Sequence, residues 1–213
     1  MTLPRLFALS PGGLTDARAA HGFAVRVRDL VRLGLRGVVL REPELEDGAT
    51  LALARELRAL LPVGQGTLVV HDRVHVALAA EADGVHLGFR SLPVAECRAV
   101  LEHAGASLAI GLSTHAGDAP ASWAGADHLF HGPFAEVTSK PDALPPVGAE
   151  GLAAACAAAT VPVFALGGID AANARSALAS GVHGLAVRGA LALSEDAEEQ
   201  LAGLLLALSE AAP

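Results

Sequence analysis

Tyrosine is absent, and aromatic residues make up only 3% of the 213-residue chain. Base-stacking platforms for nucleic acid are built from such rings. A net charge of −8 removes the electrostatic attraction as well, so no nucleic-acid partner is expected. Only two cysteines occur, Cys97 and Cys156, each in an alanine-rich stretch without metal-ligand spacing. They are expected to be small buried hydrophobes, not a disulfide framework. No apolar run approaches the roughly 18 residues of a membrane-spanning helix. The opening MTLPRLFALSPGG is too short and interrupted for a signal peptide. These absences predict a soluble, cytoplasmic chain with no membrane partner.

Hydrophobic residues, in contrast, make up 52%. Short apolar runs at 6–9, 37–41, 67–70, 84–87, 107–111, 128–131, 163–166 and 184–187 read as strands. Between and after them lie segments of helical period at 17–32, 50–61, 74–82, 93–103, 119–123, 150–159, 171–180 and 197–208. Eight strand–helix pairs without a linker predict one α/β domain over 1–213, a (β/α)8 TIM barrel. Strands apolar on both sides fit a parallel sheet covered on both faces. The longest irregular stretch, 132–148, follows the sixth strand, at the end where such barrels keep their active sites.

Two glycine turns close neighbouring units: Gly167 and Gly168 in VPVFALGGID, and Gly189 beside Arg188 in GLAVRGAL. Glycines let the backbone approach an anion, and helix starts supply N–H donors. These four residues are the candidate phosphate cup. Other polar residues at strand ends are candidates for substrate contact. Arg41 could grip a phosphate or carboxylate, or pair with Glu42 or Glu44 on the rim. Asp72 could bind Mg²⁺, act as a base, or cap the helix that follows. Ser113, Thr114 and His115 sit together after strand five, and Lys140 is the cationic candidate in the loop after strand six, with Thr138 and Ser139 before it. His71 and His131 end strands three and six. His86, inside strand four, reads as a core histidine.

The ordered segments VVLREPE, VHDRVHVALAAEADGVHLG, IGLSTHAGDA, ADHLFHGPFAEVTSKP, VPVFALGGID and GLAVRGAL resemble the thiamin phosphate synthase superfamily, with its thiazole tautomerase (TenI-like) branch. The resemblance runs from about residue 5 to 191. It implies a phosphorylated thiazole as ligand, with Gly167 and Gly168 as its phosphate pair. In the synthase, which joins hydroxymethylpyrimidine diphosphate to thiazole phosphate and releases pyrophosphate, Arg41, Ser113 and Lys140 match diphosphate-side positions. Asp72 matches a Mg²⁺-binding aspartate.

Departures from the synthase pattern point to the tautomerase branch. The strand-two motif Gln-x-Arg-x-Lys reads Val39, Arg41 and Pro43 here; His71 replaces an asparagine; and Ser91 stands where the second Mg²⁺ aspartate is expected. The expected activity is therefore isomerisation of a thiazole carboxylate phosphate by proton transfer, with no cofactor. The tautomerase histidine aligns with Pro133, so His131 or His71 is expected to supply the acid/base group. A synthase using Mg²⁺ at Asp72 and a non-catalytic thiazole or thiamin phosphate-binding protein are the alternatives. A homodimer through the terminal helix is an alternative to packing of that helix on the barrel.

Overall fold

The computed structural model describes residues 3–137 and 144–211. Eight parallel strands close in sequence order: β1 (Leu6–Leu9), β2 (Gly37–Leu40), β3 (Thr67–His71), β4 (Gly84–Leu87), β5 (Ala109–Thr114), β6 (His128–His131), β7 (Val163–Leu166) and β8 (Gly184–Val187). The last seam joins β8 to β1, with Phe7 opposite Ala186. The outer layer is α1 (Ala17–Arg32), α2 (Asp47–Leu60), α3 (Val74–Ala79), α4 (Val94–His103), α5 (Gly148–Ala158), α6 (Ala174–Leu178) and α7 (Ala197–Glu210). The (β/α)8 barrel expected from the alternation is the fold of the chain. No helix among the described residues is long and apolar enough to cross a membrane.

Several elements differ from expectation. Residues 119–123 form only a 3-10 turn, Pro120–Trp123, because proline at its start supplies no N–H and only four residues follow the helical course. The segment 171–180 is helical only over α6, since Asp170 and Asn173 tie its first residues into side-chain-capped turns. β5 runs on to Thr114 because its partners hold it there: Ser113 lies opposite Phe130 and Thr114 opposite His131. Ser113 and Thr114 are thus strand residues with opposed side chains, not neighbours in a loop.

Side-chain alternation divides the strands into two apolar layers. Val38, Leu40, Val85, Ile110, Leu129, Ala165 and Leu185 face the helices; Phe7, Leu9, Val39, Val69, Phe130, Phe164 and Ala186 face the barrel axis. Phe7, Phe130 and Phe164 are fully buried, with ring centroids 5.4 to 5.6 Å apart. Burying such rings contributes roughly 1.5–3 kcal/mol each. They need room: a Cβ on Gly37 would lie 2.7 Å from the Phe7 ring. At the opposite end of the barrel, Asp83 and Asp127 repeat one device. Each sits just before a strand and accepts the N–H of a neighbouring strand, Leu68 at 2.8 Å and Ile110 at 2.7 Å, while also pairing with Arg58 or Arg98. Cys97 is buried and Cys156 half-buried, and both are free thiols.

Candidate active site

At the C-terminal ends of the strands, β8, β1 and β2 bring two cations to one place. Arg41 follows β2 and Arg188 follows β8, and each carries a guanidinium nitrogen within 4 Å of the point where a Cβ would stand on Gly12, in the β1–α1 loop. Burial and the charge of Arg41 both lower the proton affinity of Arg188, while Glu42 raises it. Glu42 is buried, and its carboxylate accepts the backbone N–H of Gly12 at 2.7 Å and of Leu14 at 2.8 Å. Ser10, also buried, accepts the N–H of Arg41 at 2.8 Å. Glu42 is therefore not a rim partner of Arg41 but the residue that shapes the loop beneath it. Sequence reading missed that role, and its strand-end position was the one available signal.

Beyond β7, Gly167 and Gly168 have φ of +91° and +67°, a region costly for other residues. The protein itself also demands glycine there. A Cβ on Gly167 would lie 2.7 Å from Pro133, and one on Gly168 2.7 Å from the carbonyl oxygens of Ala135 and Glu136. The chain after β6 pairs with this turn through Phe134 N–H to Leu166 O and Ala135 N–H to Gly167 O. Gly189 opens a short π-helical turn, Gly189–Leu193, next to Arg188.

His71 ends β3 on the axis side, with its Nε2 3.2 Å from the Cβ point of Gly88. Burial first, then Arg41, lowers its pKa to about 4, so the ring is neutral at neutral pH. Asp72 follows it with φ +65°, exposed at the mouth. It does not cap α3, whose N-cap is Arg73 and has no side-chain hydrogen bond. On the far side, Ser113 Oγ lies 2.8 Å from His86 Nε2. His86 is buried, as expected of a core histidine, but its hydrogen bond connects it to the mouth.

Two expected site residues face elsewhere. Phe130 points to the axis, so its neighbour His131 points to the helices. There the His131 Nδ1 lies 2.9 Å from Thr114 Oγ1, and its ring packs edge-on against Trp123. Both His131 and Thr114 are buried in that layer. The expectation that His131 reaches the mouth assumed that strand alternation continued to Pro133. β6 ends at His131, and the chain turns at Gly132. His115 lies past the strand end, its N–H bonded to Asp118 at 2.7 Å. Thr138, Ser139 and Lys140 lie outside the described residues.

Two arginines, a glycine turn and an axial serine lie at the C-terminal mouth of this (β/α)8 barrel, the end at which such barrels keep their active sites. The family follows from comparison. Residues 14–191 match the family described as thiamine monophosphate synthase. The chain is 41% identical over 174 residues to a thiamine-phosphate synthase of Laribacter hongkongensis, covering 81% of each. It is 40% identical over 204 residues to one of Salinispora arenicola, covering 95% of this chain and 90% of the relative. Among solved structures, thiamine phosphate pyrophosphorylase from Pyrococcus furiosus superposes with a TM-score of 0.84 at 28% identity, covering 98% and 97% of the two chains. The chain belongs to the thiamine monophosphate synthase family.

Proposed function

We propose that this chain is a thiamin phosphate synthase. It joins hydroxymethylpyrimidine diphosphate to thiazole phosphate. The observation that carries the reading is the Arg41–Arg188 pair at Gly12, in addition to the Gly167–Gly168 turn. A synthase needs a strongly cationic site for a diphosphate besides the turn that takes the thiazole phosphate, and two converging guanidinium groups suit that charge. The relatives named thiamine-phosphate synthase support the same choice. The tautomerase reading loses ground with the outward placement of His131. His71, with a pKa near 4, is a weak base at neutral pH.

In the proposed reaction the C–O bond between the pyrimidine methylene and the diphosphate breaks, and the diphosphate leaves with the electron pair. The thiazole nitrogen forms the new C–N bond and becomes a thiazolium. Arg188, expected from sequence in the glycine cup, meets Arg41 at Gly12 instead, and the two stabilise the charge that develops on the departing oxygen. Ser113 donates to the same group. The Gly167–Gly168 turn, with Gly189, orients the thiazole phosphate. Neutral His71 adds no cation beside the electron-poor methylene.

Asp72 is exposed at the mouth, and the described residues contain no cluster of three metal-ligating side chains. The Asp72 carboxylate would be the side chain that holds a Mg²⁺ arriving with the diphosphate, an ion that typically needs only one or two protein carboxylates. Bound there, Mg²⁺ would neutralise charge on the diphosphate. Ser91, where the second Mg²⁺ aspartate is expected, holds no carboxylate, and its Oγ accepts the Gly88 N–H at 2.8 Å.

The test is to supply both substrates with and without Mg²⁺ and measure thiamin phosphate and pyrophosphate in equal amounts. Exchange of thiazole carboxylate phosphate tautomers without pyrophosphate release would replace this reading with the tautomerase.

A further inference from the structure

Below Ser113, the barrel axis is polar where a TIM barrel is usually filled by branched aliphatic side chains. His86 and His128 both point inward, with ring centroids 5.9 Å apart, and both are buried. His86 Nδ1 and both nitrogens of His128 have no protein partner among the described residues. Leaving such groups unpaired costs about 1–3 kcal/mol each. The orientation is specific: His86 Nδ1 and His128 Nε2 both fall within 3.0 Å of the point where a Cβ would stand on Gly111. The two nitrogens thus face each other across a bare glycine. Phe7, Phe130 and Phe164 pack on the pair and offer neither donor nor acceptor, and the His71 ring lies 6.2 Å from that of His86. Burial keeps both rings neutral, so each has one N–H.

We infer that His128 is a positioning residue: its Nε2 supplies, across one enclosed water, the donor that His86 Nδ1 accepts from, which keeps the His86 hydrogen on Nε2 and the Ser113 hydroxyl directed to the mouth. If His86 accepts at Nδ1, its hydrogen is on Nε2, which then donates to Ser113 Oγ at 2.8 Å. The Ser113 hydrogen is left to point into the mouth, toward an anion. With the opposite tautomer, Ser113 would spend its hydrogen on His86 and present only lone pairs to a negative ligand. The choice of tautomer rests on the diphosphate-binding reading, because only an anion at the mouth calls for the Ser113 hydrogen; the spectroscopy that reads the tautomer does not depend on turnover.

The experiment is long-range ¹H–¹⁵N spectroscopy of the ¹⁵N-labelled full chain, with His128→Phe and His128→Gln alongside. The expected result is His86 protonated on Nε2. Its bare Nδ1 resonance should move, on His128→Phe, to the position of an imidazole nitrogen that accepts no hydrogen bond. His128→Gln, which retains a donor, should hold it near the wild-type position. Protonation of His86 on Nδ1 in the wild-type chain, or an Nδ1 resonance indifferent to His128→Phe, overturns the inference whether or not the protein turns over. In synthase assays, His128→Phe should lower kcat about five-fold, the worth of one hydrogen bond, with KM for thiazole phosphate unchanged. The loss should vanish in a Ser113→Ala background and be recovered by His128→Gln. An equal loss in both backgrounds would mark His128 as structural only.

Discussion

The buried carboxylate of Glu42 accepts the amide hydrogen of Gly12 at 2.7 Å, and so fixes the loop over which Arg41 and Arg188 converge. A carboxylate beside an anion site is electrostatically unfavourable unless its charge is already satisfied. Here two backbone N–H groups satisfy it, and the arginines remain the dominant charge. Replacing Glu42 by Ala should therefore cost about 3 kcal/mol in unfolding by urea, since two charge-assisted bonds are lost and two N–H groups are stranded. It should also weaken pyrophosphate binding, although the variant gains positive charge. Tighter binding by the variant would mean that charge, not loop position, governs the site.

Arg41 and Arg188 should act as one clamp. Arg41→Met or Arg188→Met should weaken inorganic pyrophosphate at least ten-fold, as expected for a charge-assisted hydrogen bond of about 1.5–3 kcal/mol. The double variant should lose less than the sum of the two, because both contact one anion. Calorimetric titration measures all three; strict additivity would place them on separate ligands.

Asp72 separates backbone strain from chemistry. Its φ of +65° is tolerated by asparagine and preferred by glycine. Asp72→Gly should retain or raise the melting temperature, by up to about 1 kcal/mol of stability, while abolishing the Mg²⁺ dependence of pyrophosphate release. Asp72→Asn should fold as the wild type does and show the same loss. A Mg²⁺ response that survives both would remove Asp72 as the ligand.

Acid should unfold the barrel earlier than its carboxylates alone predict. His71 and His128 each have a pKa lowered from 6.5 to about 4, chiefly by burial. A histidine with a depressed folded pKa binds more protons unfolded than folded between those values. Stability is then complete above pH 6.5 and falls as pH drops toward 4, by about 3 kcal/mol per ring. His128→Phe should flatten that slope between pH 6.5 and 4 in urea midpoints taken across the range.

His131 is a test of side-chain direction. His131→Phe should lose about 1–2 kcal/mol of stability, by orphaning the buried hydroxyl of Thr114, while turnover stays within about two-fold of wild type. A collapse of kcat without loss of stability would return His131 to the mechanism.

Local pattern alone determined much of this protein. Eight apolar runs separated by helical stretches specified a closed parallel barrel, because strand and helix periods are written in neighbouring residues. The strand-end positions of Arg41, His71, Ser113 and Arg188 were legible for the same reason. Which way a strand-end side chain points was not. The axis-facing cluster that holds Phe130 decides that His131 turns away from the mouth, and the register of β5 against β6 seats Thr114 opposite it. Likewise the meeting of Arg188 with Arg41 depends on closure of β8 onto β1, a contact between the ends of the chain that no local window contains. The facing of His86 and His128 across Gly111 is of the same kind: three strands must be in register before two nitrogens meet, and only the closed barrel sets that register.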